Sequence, residues 1–418
     1  MSDGLERDLR EAVGGEVRFD AGTRAAYAHD ASNYRQAPIG VVVPRSVDDV
    51  VAAVEVARTH RAPVLPRGCG TSLAGQCCNV AVVIDCSKYL REVLGVDLER
   101  RLARVQPGCV RDDLCDPLET EHQVTFAPDT STHTHATLGG MVGNNSCGVH
   151  SVMAGRTADN VHELEVLTYD GLRLRVGATG EEELEAIVAA GGRRGEIYAR
   201  LRDLRDRYAE LVRARYPDIP RRVSGYNLDE LLPEKGFNVA RALVGTEGTC
   251  ATVLDATLCL VPRPKQRSLL VLGYESLGDL GDHIPEILAA QPMACEGIDR
   301  ELFRLEQEMH INPDALEHMP DGNAWVLVEF GAETKEEADE RARKLEARLR
   351  TDAQPPKGSA TTGPSSRKRR TSSWDTAGRS PASTATGNSG PSSSRRCSVP
   401  SSCRPSASSS GSGTPTGR

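Results

Sequence analysis

Pro66-Arg-Gly-Cys-Gly-Thr-Ser-Leu-Ala-Gly-Gln76 is the stretch that decides the fold. Its glycines free backbone N–H groups to converge on an anion. The flanking residues set its class. Upstream, Ile39–Val43 reads as a buried strand closed by Pro44. Ser46 with Asp49 makes a capping-box-like helix start, and Val47, Val50, Val51, Val54 and Ala57 share one helical face. Ala62–Pro66 is a second strand that delivers the chain to the loop. Downstream, only Ala74–Asn79 separates the loop from the β-type run Val80–Asp85. A nicotinamide-type dinucleotide fold or a P-loop needs a helix opening directly from the glycines, and here there is no room for one. Gly68, Gly70 and Gly75 also miss the G-x-G-x-x-G spacing, and no Gly-Lys-Ser/Thr follows. The loop reads as an anion nest between two strands of a strand–helix–strand unit.

Two more glycine-rich regions lie downstream. Phe126–Gly148 carries Thr132, Thr134, Thr137, Asn144, Asn145 and Ser146, short polar side chains suited to a heteroaromatic edge or to ribitol-like hydroxyls, while Gly139 and Gly140 permit close backbone approach. Gly245-Thr-Glu-Gly-Thr249 sits between a strand expected at Ala240–Val244 and another at Ala251–Leu260. Val161–Thr168 and Leu172–Val176 flank Asp170-Gly171, a hairpin signal. Residues 181–213 read as helix. Strands are expected near Leu269–Leu272 and Trp325–Phe330, with a helix over 335–350. Three small-residue regions, each near a strand end, point to one extended ligand threaded along the domain.

Composition narrows the function. The 418 residues carry a net charge of −8. From Thr351 onward ten Lys or Arg stand against two Asp, so the tail is +8 and the remainder −16. An acidic globular part argues against a nucleic-acid surface. Twelve cysteines are scattered without a C-x-x-C pair, so neither zinc nor iron–sulfur spacing is present and no metal is expected. The opening residues MSDGLERDLREAVGG lack an apolar run, and no segment approaches the ~20 apolar residues of a membrane span. A reduced, cytoplasmic protein is the expectation. After Asp352 the chain has no Leu, Ile, Phe, Met or Tyr. Such a segment cannot offset its ordering entropy and reads as a disordered tail. The abrupt change directly after an amphipathic helix favours a shifted reading frame over an ordinary flexible extension.

PRGCGTSLAGQ (66–76), APDTSTHTHATLGGMVGNNSCG (127–148), RTADNVHELEV (156–166), VSGYNLDEL (223–231) and GTEGTCATVLDATLCLVP (245–262) together resemble the FAD-binding domain of the vanillyl-alcohol oxidase and p-cresol methylhydroxylase flavoproteins. The set is most similar to the FAD-linked dehydrogenases of 2-hydroxy acids: the glycolate oxidase, D-lactate dehydrogenase and D-2-hydroxyglutarate dehydrogenase group. HTHATLGGMVGNNSCGVHS resembles the long bacterial members that carry a C-terminal iron–sulfur module. The resemblance spans about residues 20–350. It implies an α+β fold, with a helical lead-in over 1–35 and a PCMH-type FAD-binding domain over 36–264 that combines a small βαβ part with a larger mixed sheet. A partial α/β substrate domain follows over 265–350, then a disordered tail over 351–418.

The resemblance places the FAD pyrophosphate on Arg67, Gly68, Cys69, Gly70, Thr71 and Ser72. It sets Pro128, Asp129, Thr137, Gly139, Gly140 and Asn145 along the flavin and ribityl chain, with Glu247, Gly248 and Val253 on the adenine or ribityl side. Cys69 and Cys147 stand where glycine is usual, and Cys69 is tolerable there if its φ is negative. Thr71 stands where histidine-linked members attach their flavin, so non-covalent FAD is implied. Arg221 and Arg222 are candidates to hold a substrate carboxylate bidentately. His133 and His135 alternate on an extended stretch without a third ligand. The family's His-rich cluster has no counterpart after Asp299, since His310 and His318 lack its glycine and acidic companions. The implied function is hydride transfer from a small 2-hydroxy acid to flavin, to an electron acceptor not named by the sequence, impaired by the shortened substrate domain. The alternatives are an inactive flavin-binding fragment or subunit, and an oxidase of sugars or aryl alcohols.

Overall fold

The structure is a computed structural model and describes residues 2–311, 319–351 and 355–362. A small sheet is built from β1 (Glu16–Arg18), β2 (Gly40–Val43), β3 (Val64–Arg67) and β4 (Val82–Asp85), in the order β1-β2-β4-β3. β2, β4 and β3 run parallel and β1 antiparallel. β2 and β4 are buried along their whole length, as expected of parallel strands covered on both faces. The helix Val47–Thr59 supplies one cover. Its Ser46 cap accepts from the Asp49 amide, and Val50, Ala53, Val54 and Ala57 face inward. The helix Ser2–Ala12 packs against it through Leu5 and Leu9. The first 35 residues are therefore more than a helical lead-in, because they add an edge strand and a buried helix face.

The second sheet holds β5 (Val93–Asp97), β6 (Leu102–Val105), β8 (Val161–Leu167), β9 (Arg173–Val176) and β10 (Thr252–Cys259), in the order β5-β6-β10-β8-β9. Expected to be mixed, it is antiparallel throughout. β7 (Val124–Thr125) pairs with β11 (Val261–Pro262) beside it. The hairpin β8–β9 forms as read. One local expectation is refined and one fails. Residues 181–213 form two helices, Glu181–Ala190 and Gly192–Arg215. Gly191 and Gly192 break them with φ of +67° and +65°, a region that glycine enters freely. Ala240–Val244 is not a strand but lies in the short helix Val239–Leu243, because the Asn238 side chain accepts from the Arg241 amide at 3.0 Å and caps it.

The third sheet comprises β12 (Gln266–Tyr274), β13 (Ala294–Asp299), β14 (Ala324–Ala332) and β15 (Gly358–Thr362), antiparallel in the order β13-β14-β12-β15. The helices Leu277–Ala289 and Lys335–Leu349 cover its apolar face. β15 corrects the expectation of an unstructured segment from residue 351 onward. Gly358–Thr362 has no large apolar side chain, yet it pairs with Leu269–Gly273 through the backbone, which an edge strand can do without a hydrophobic pattern. Of the expected tail, residues 352–354 and 363–418 lie outside the described residues, as does His318.

Candidate functional site: a glycine-walled cleft beside a charged junction

The three glycine regions converge. One cleft is lined by Arg67, Gly68 and Ser72 from the first, Gly139, Gly140, Gly143 and Asn144 from the second, and Thr246, Glu247, Gly248 and Val253 from the third. The second region builds its wall with an element the sequence reading missed, the helix Leu138–Asn144, capped by the Thr137 hydroxyl at the Gly140 amide. Leu138, Met141 and Val142 bury one face of this helix. The glycines on its other face bring backbone, with no side chain, to the cleft. A Cβ at Gly68 would overlap Thr137 Oγ1, and one at Gly139 would lie 2.5 Å from the Pro107 Cβ. Gly248 has a φ of +74°.

The remaining expected residues do not line this cleft. Gly70 (φ +71°) shapes the loop, and Cys69 and Thr71 lie on the same loop. Neither Cys69 nor Cys147 is among the residues with positive φ, which meets the condition for cysteine at a usual glycine position. Thr137 is a helix cap, and Pro128 is buried. Asn145 is left-handed (φ 53°) and 1% exposed. Its Oδ1 accepts from the Ala158 amide, while its buried Nδ2 has no protein partner. Arg67 does not point a free guanidinium at a ligand, because it donates to the carbonyls of Tyr27, Cys77 and His29. Of the two carboxylate candidates, Arg222 is paired with Asp229 at 2.5 Å and stacked on Tyr216, which is a structural role. Arg221 remains 43% exposed, donates to the Gly148 carbonyl and lies 3.9 Å from Glu296. His133 bonds Asp112 at 2.6 Å and His135 bonds Thr134, so the two histidines do not converge as a pair. Tyr226 bonds Thr249 at 2.7 Å.

A second constellation was not anticipated. His150 donates from Nδ1 to Asp129 at 2.7 Å, and its Nε2 lies 3.6 Å from Glu329 on β14. Glu329 in turn lies 3.1 Å from Arg267 on β12. All but Arg267 are about four-fifths buried. Burial works to lower the His150 pKa, but the hydrogen bond to Asp129 and the negative charge of nearby Glu329 outweigh it and push it up to about 9. Asp129 and Glu329 are held below the usual carboxylate range against the opposing effect of burial, Asp129 mainly by His150 and Glu329 by His150 and Arg267. Burial raises the neighbouring Glu296. This chain of charges ties the second glycine region to the third sheet. Asp129 and His150 were within reach of a sequence reading, being 21 residues apart around one loop. Glu329 was not, since only the fold brings β14 to them.

Comparison with known proteins matches residues 38–177 to the FAD binding domain family and residues 263–375 to the C-terminal domain of FAD linked oxidases. The chain is 32% identical over 320 residues to D-2-hydroxyglutarate dehydrogenase of Pseudomonas putida, covering 76% of this chain and 32% of that protein. It is 27% identical over 305 residues to glycolate oxidase subunit GlcD of Bacillus subtilis, covering 71% and 54%. It is 25% identical over 340 residues to D-lactate dehydrogenase of Anaerostipes hadrus, covering 79% and 59%. The chain thus spans about a third of the D-2-hydroxyglutarate dehydrogenase and just over half of the other two. A solved alkyldihydroxyacetonephosphate synthase shares the fold with a TM-score of 0.58 at 18% identity, over 86% of this chain and 61% of that one.

Proposed function

Since this chain belongs to the FAD-linked oxidase superfamily, we propose that it serves in oxidising a small 2-hydroxy acid with FAD held non-covalently in the glycine-walled cleft. The observation that carries the reading is the convergence of the three glycine regions on one cleft. An extended dinucleotide fits such walls. Backbone amides of the loop after β3 meet its pyrophosphate, the side-chain-free face of Leu138–Asn144 admits close approach, and the buried, unpartnered Asn145 Nδ2 offers a donor beside them. Thr71 provides no imidazole for a covalent link. The relatives' substrates support the choice of a 2-hydroxy acid over a sugar or an aryl alcohol.

FAD, when bound, supplies a hydride acceptor; the chain's part is to hold and orient. Arg221, half-exposed and already tethered to Gly148, is the guanidinium free to meet a substrate carboxylate, whereas Arg222 is committed to Asp229. His150 is excluded as the base for the hydroxyl proton, because a ring kept protonated by two carboxylates cannot accept one at neutral pH.

The test is a visible absorption spectrum of the purified protein, repeated anaerobically with a panel of D- and L-2-hydroxy acids. Flavin bands that bleach with one acid support the reading and identify its substrate. Bands that persist through the panel leave only flavin binding, and a folded protein that refuses added FAD sinks the reading altogether.

A further inference from the structure

The loop after β3 is tied down by a segment that precedes the matched FAD binding domain, which begins at residue 38. We infer that residues 27–36 form a strap that positions this loop for the FAD pyrophosphate, with Arg67 and Asp30 as its positioning residues. The inference rests on the flavin reading of the cleft. Arg67 lines the cleft, but its guanidinium is occupied by carbonyls. Its Nη1 donates to the Tyr27 carbonyl at 3.2 Å and the Cys77 carbonyl at 2.8 Å, and its Nη2 to the His29 carbonyl at 2.6 Å. A Cβ on Gly70 would lie 2.5 Å from that Nη2, so the left-handed glycine is what lets the guanidinium tuck beneath the loop. Asp30 answers from the strap, where its carboxylate accepts the Cys77 amide at 3.2 Å and the Ser32 amide at 2.9 Å. The Ala31 amide bonds the Gly70 carbonyl at 3.0 Å. Both ends of the loop, at Gly70 and Cys77, are thereby fixed to the same strap.

A loop with several glycines is costly to order. A ligand that had to order it on binding would lose affinity, and a loop ordered beforehand spares that loss. The one cation on the cleft wall is thus spent on carbonyls, and the loop meets its anion with backbone amides.

Two substitutions separate this role from direct charge neutralisation. Arg67→Lys keeps the charge but cannot hold three carbonyls, and Asp30→Asn keeps the size but loses one of two acceptors. Each is expected to weaken FAD binding at least ~10-fold in a fluorescence titration, as loss of hydrogen bonds to a charged group would, while the salt dependence of binding stays that of the wild type. Iodoacetamide should alkylate Cys77 at least ~10-fold faster in either apoprotein, read at the peptide level, while the fully buried Cys115 stays protected. If Arg67→Lys simply unfolds, exposing Cys115, Asp30→Asn carries the same expectations. Wild-type affinity in Arg67→Lys, or an Arg67→Gln variant whose binding loses about one charge of salt dependence, would overturn the proposal in favour of Arg67 addressing the phosphate. Should the wild type take no FAD, the flavin reading fails by itself and the labelling decides the strap: faster Cys77 alkylation supports it, and equal rates overturn it.

Discussion

The glycine-walled cleft and the charged junction lie on either side of the same loop, yet they are built by opposite means. The cleft is made from missing side chains, with backbone at Gly68, Gly139 and Gly248 forming the wall. The junction is made from long charged side chains, with Asp129, His150, Glu329 and Arg267 in a line. In the first, added volume does the damage. In the second, damage follows from removing any one charge, because the others are left buried and uncompensated. The cleft is therefore expected to govern cofactor affinity and the junction to govern how firmly the third sheet is held.

Three perturbations would break or sharpen that separation. The largest expected effect is from His150→Ala, which removes the cation between Asp129 and Glu329 and leaves Arg267 to compensate Glu329 alone. Removing one partner from a buried pair costs ~3 kcal/mol or more, so thermal or urea unfolding should show a clear loss of stability. FAD affinity, measured in the folded range, should change little. An equal loss in both would show that the two regions are one unit. Next is Gly68→Val, whose side chain collides with Thr137. Overpacking of this kind costs about 1–3 kcal/mol of folding stability, so the apoprotein's unfolding midpoint should fall somewhat, and the displaced wall should bring a ~10-fold to 100-fold loss of FAD affinity. A midpoint that falls while FAD still binds would reverse the assignment.

The smallest effect is with pH. His150 has its folded pKa raised to about 9 from an ordinary value of 6.5. Its contribution to stability is complete below the unfolded value and is lost as pH rises through about 9. Asp129 and Glu329 are lowered, so their contributions hold above the ordinary carboxylate range and disappear as pH falls below it. Stability should therefore decline on the alkaline side through pH 9 in the wild type, and that decline should be absent in His150→Gln. A variant that keeps the full alkaline slope would place its origin elsewhere.

The parts that could be read in advance are those whose physics is local. Ser46 and Asp49 announce their helix, since a cap involves residues three apart. The buried run Gly40–Val43 announces a parallel strand. Glycine loops announce themselves because few other residues tolerate their backbone. The failures share one cause. The Val239–Leu243 helix was hidden because a stretch as short as Val-Ala-Arg-Ala-Leu fits either period, and its Asn238 cap was the local sign. β15 was hidden because an edge strand can pair through its backbone and needs no apolar pattern. Arg67 was assigned to the phosphate through the likeness of its loop to a known family, whereas the carbonyls of Tyr27 and His29 that occupy it come from about 40 residues earlier.

The sequence by itself determined the class of loop, the strand–helix–strand frame around it, the three regions that line the cleft and their likeness to FAD-binding domains. These depend on backbone freedom and on spacings of a few residues, which a linear reading contains. Only the tertiary structure decided that Arg67 is held by carbonyls, that residues 27–36 brace the loop, and that His150 is charged between Asp129 and Glu329. A hydrogen bond or ion pair between distant residues depends on distance and burial, and the chain sets both only once it has folded.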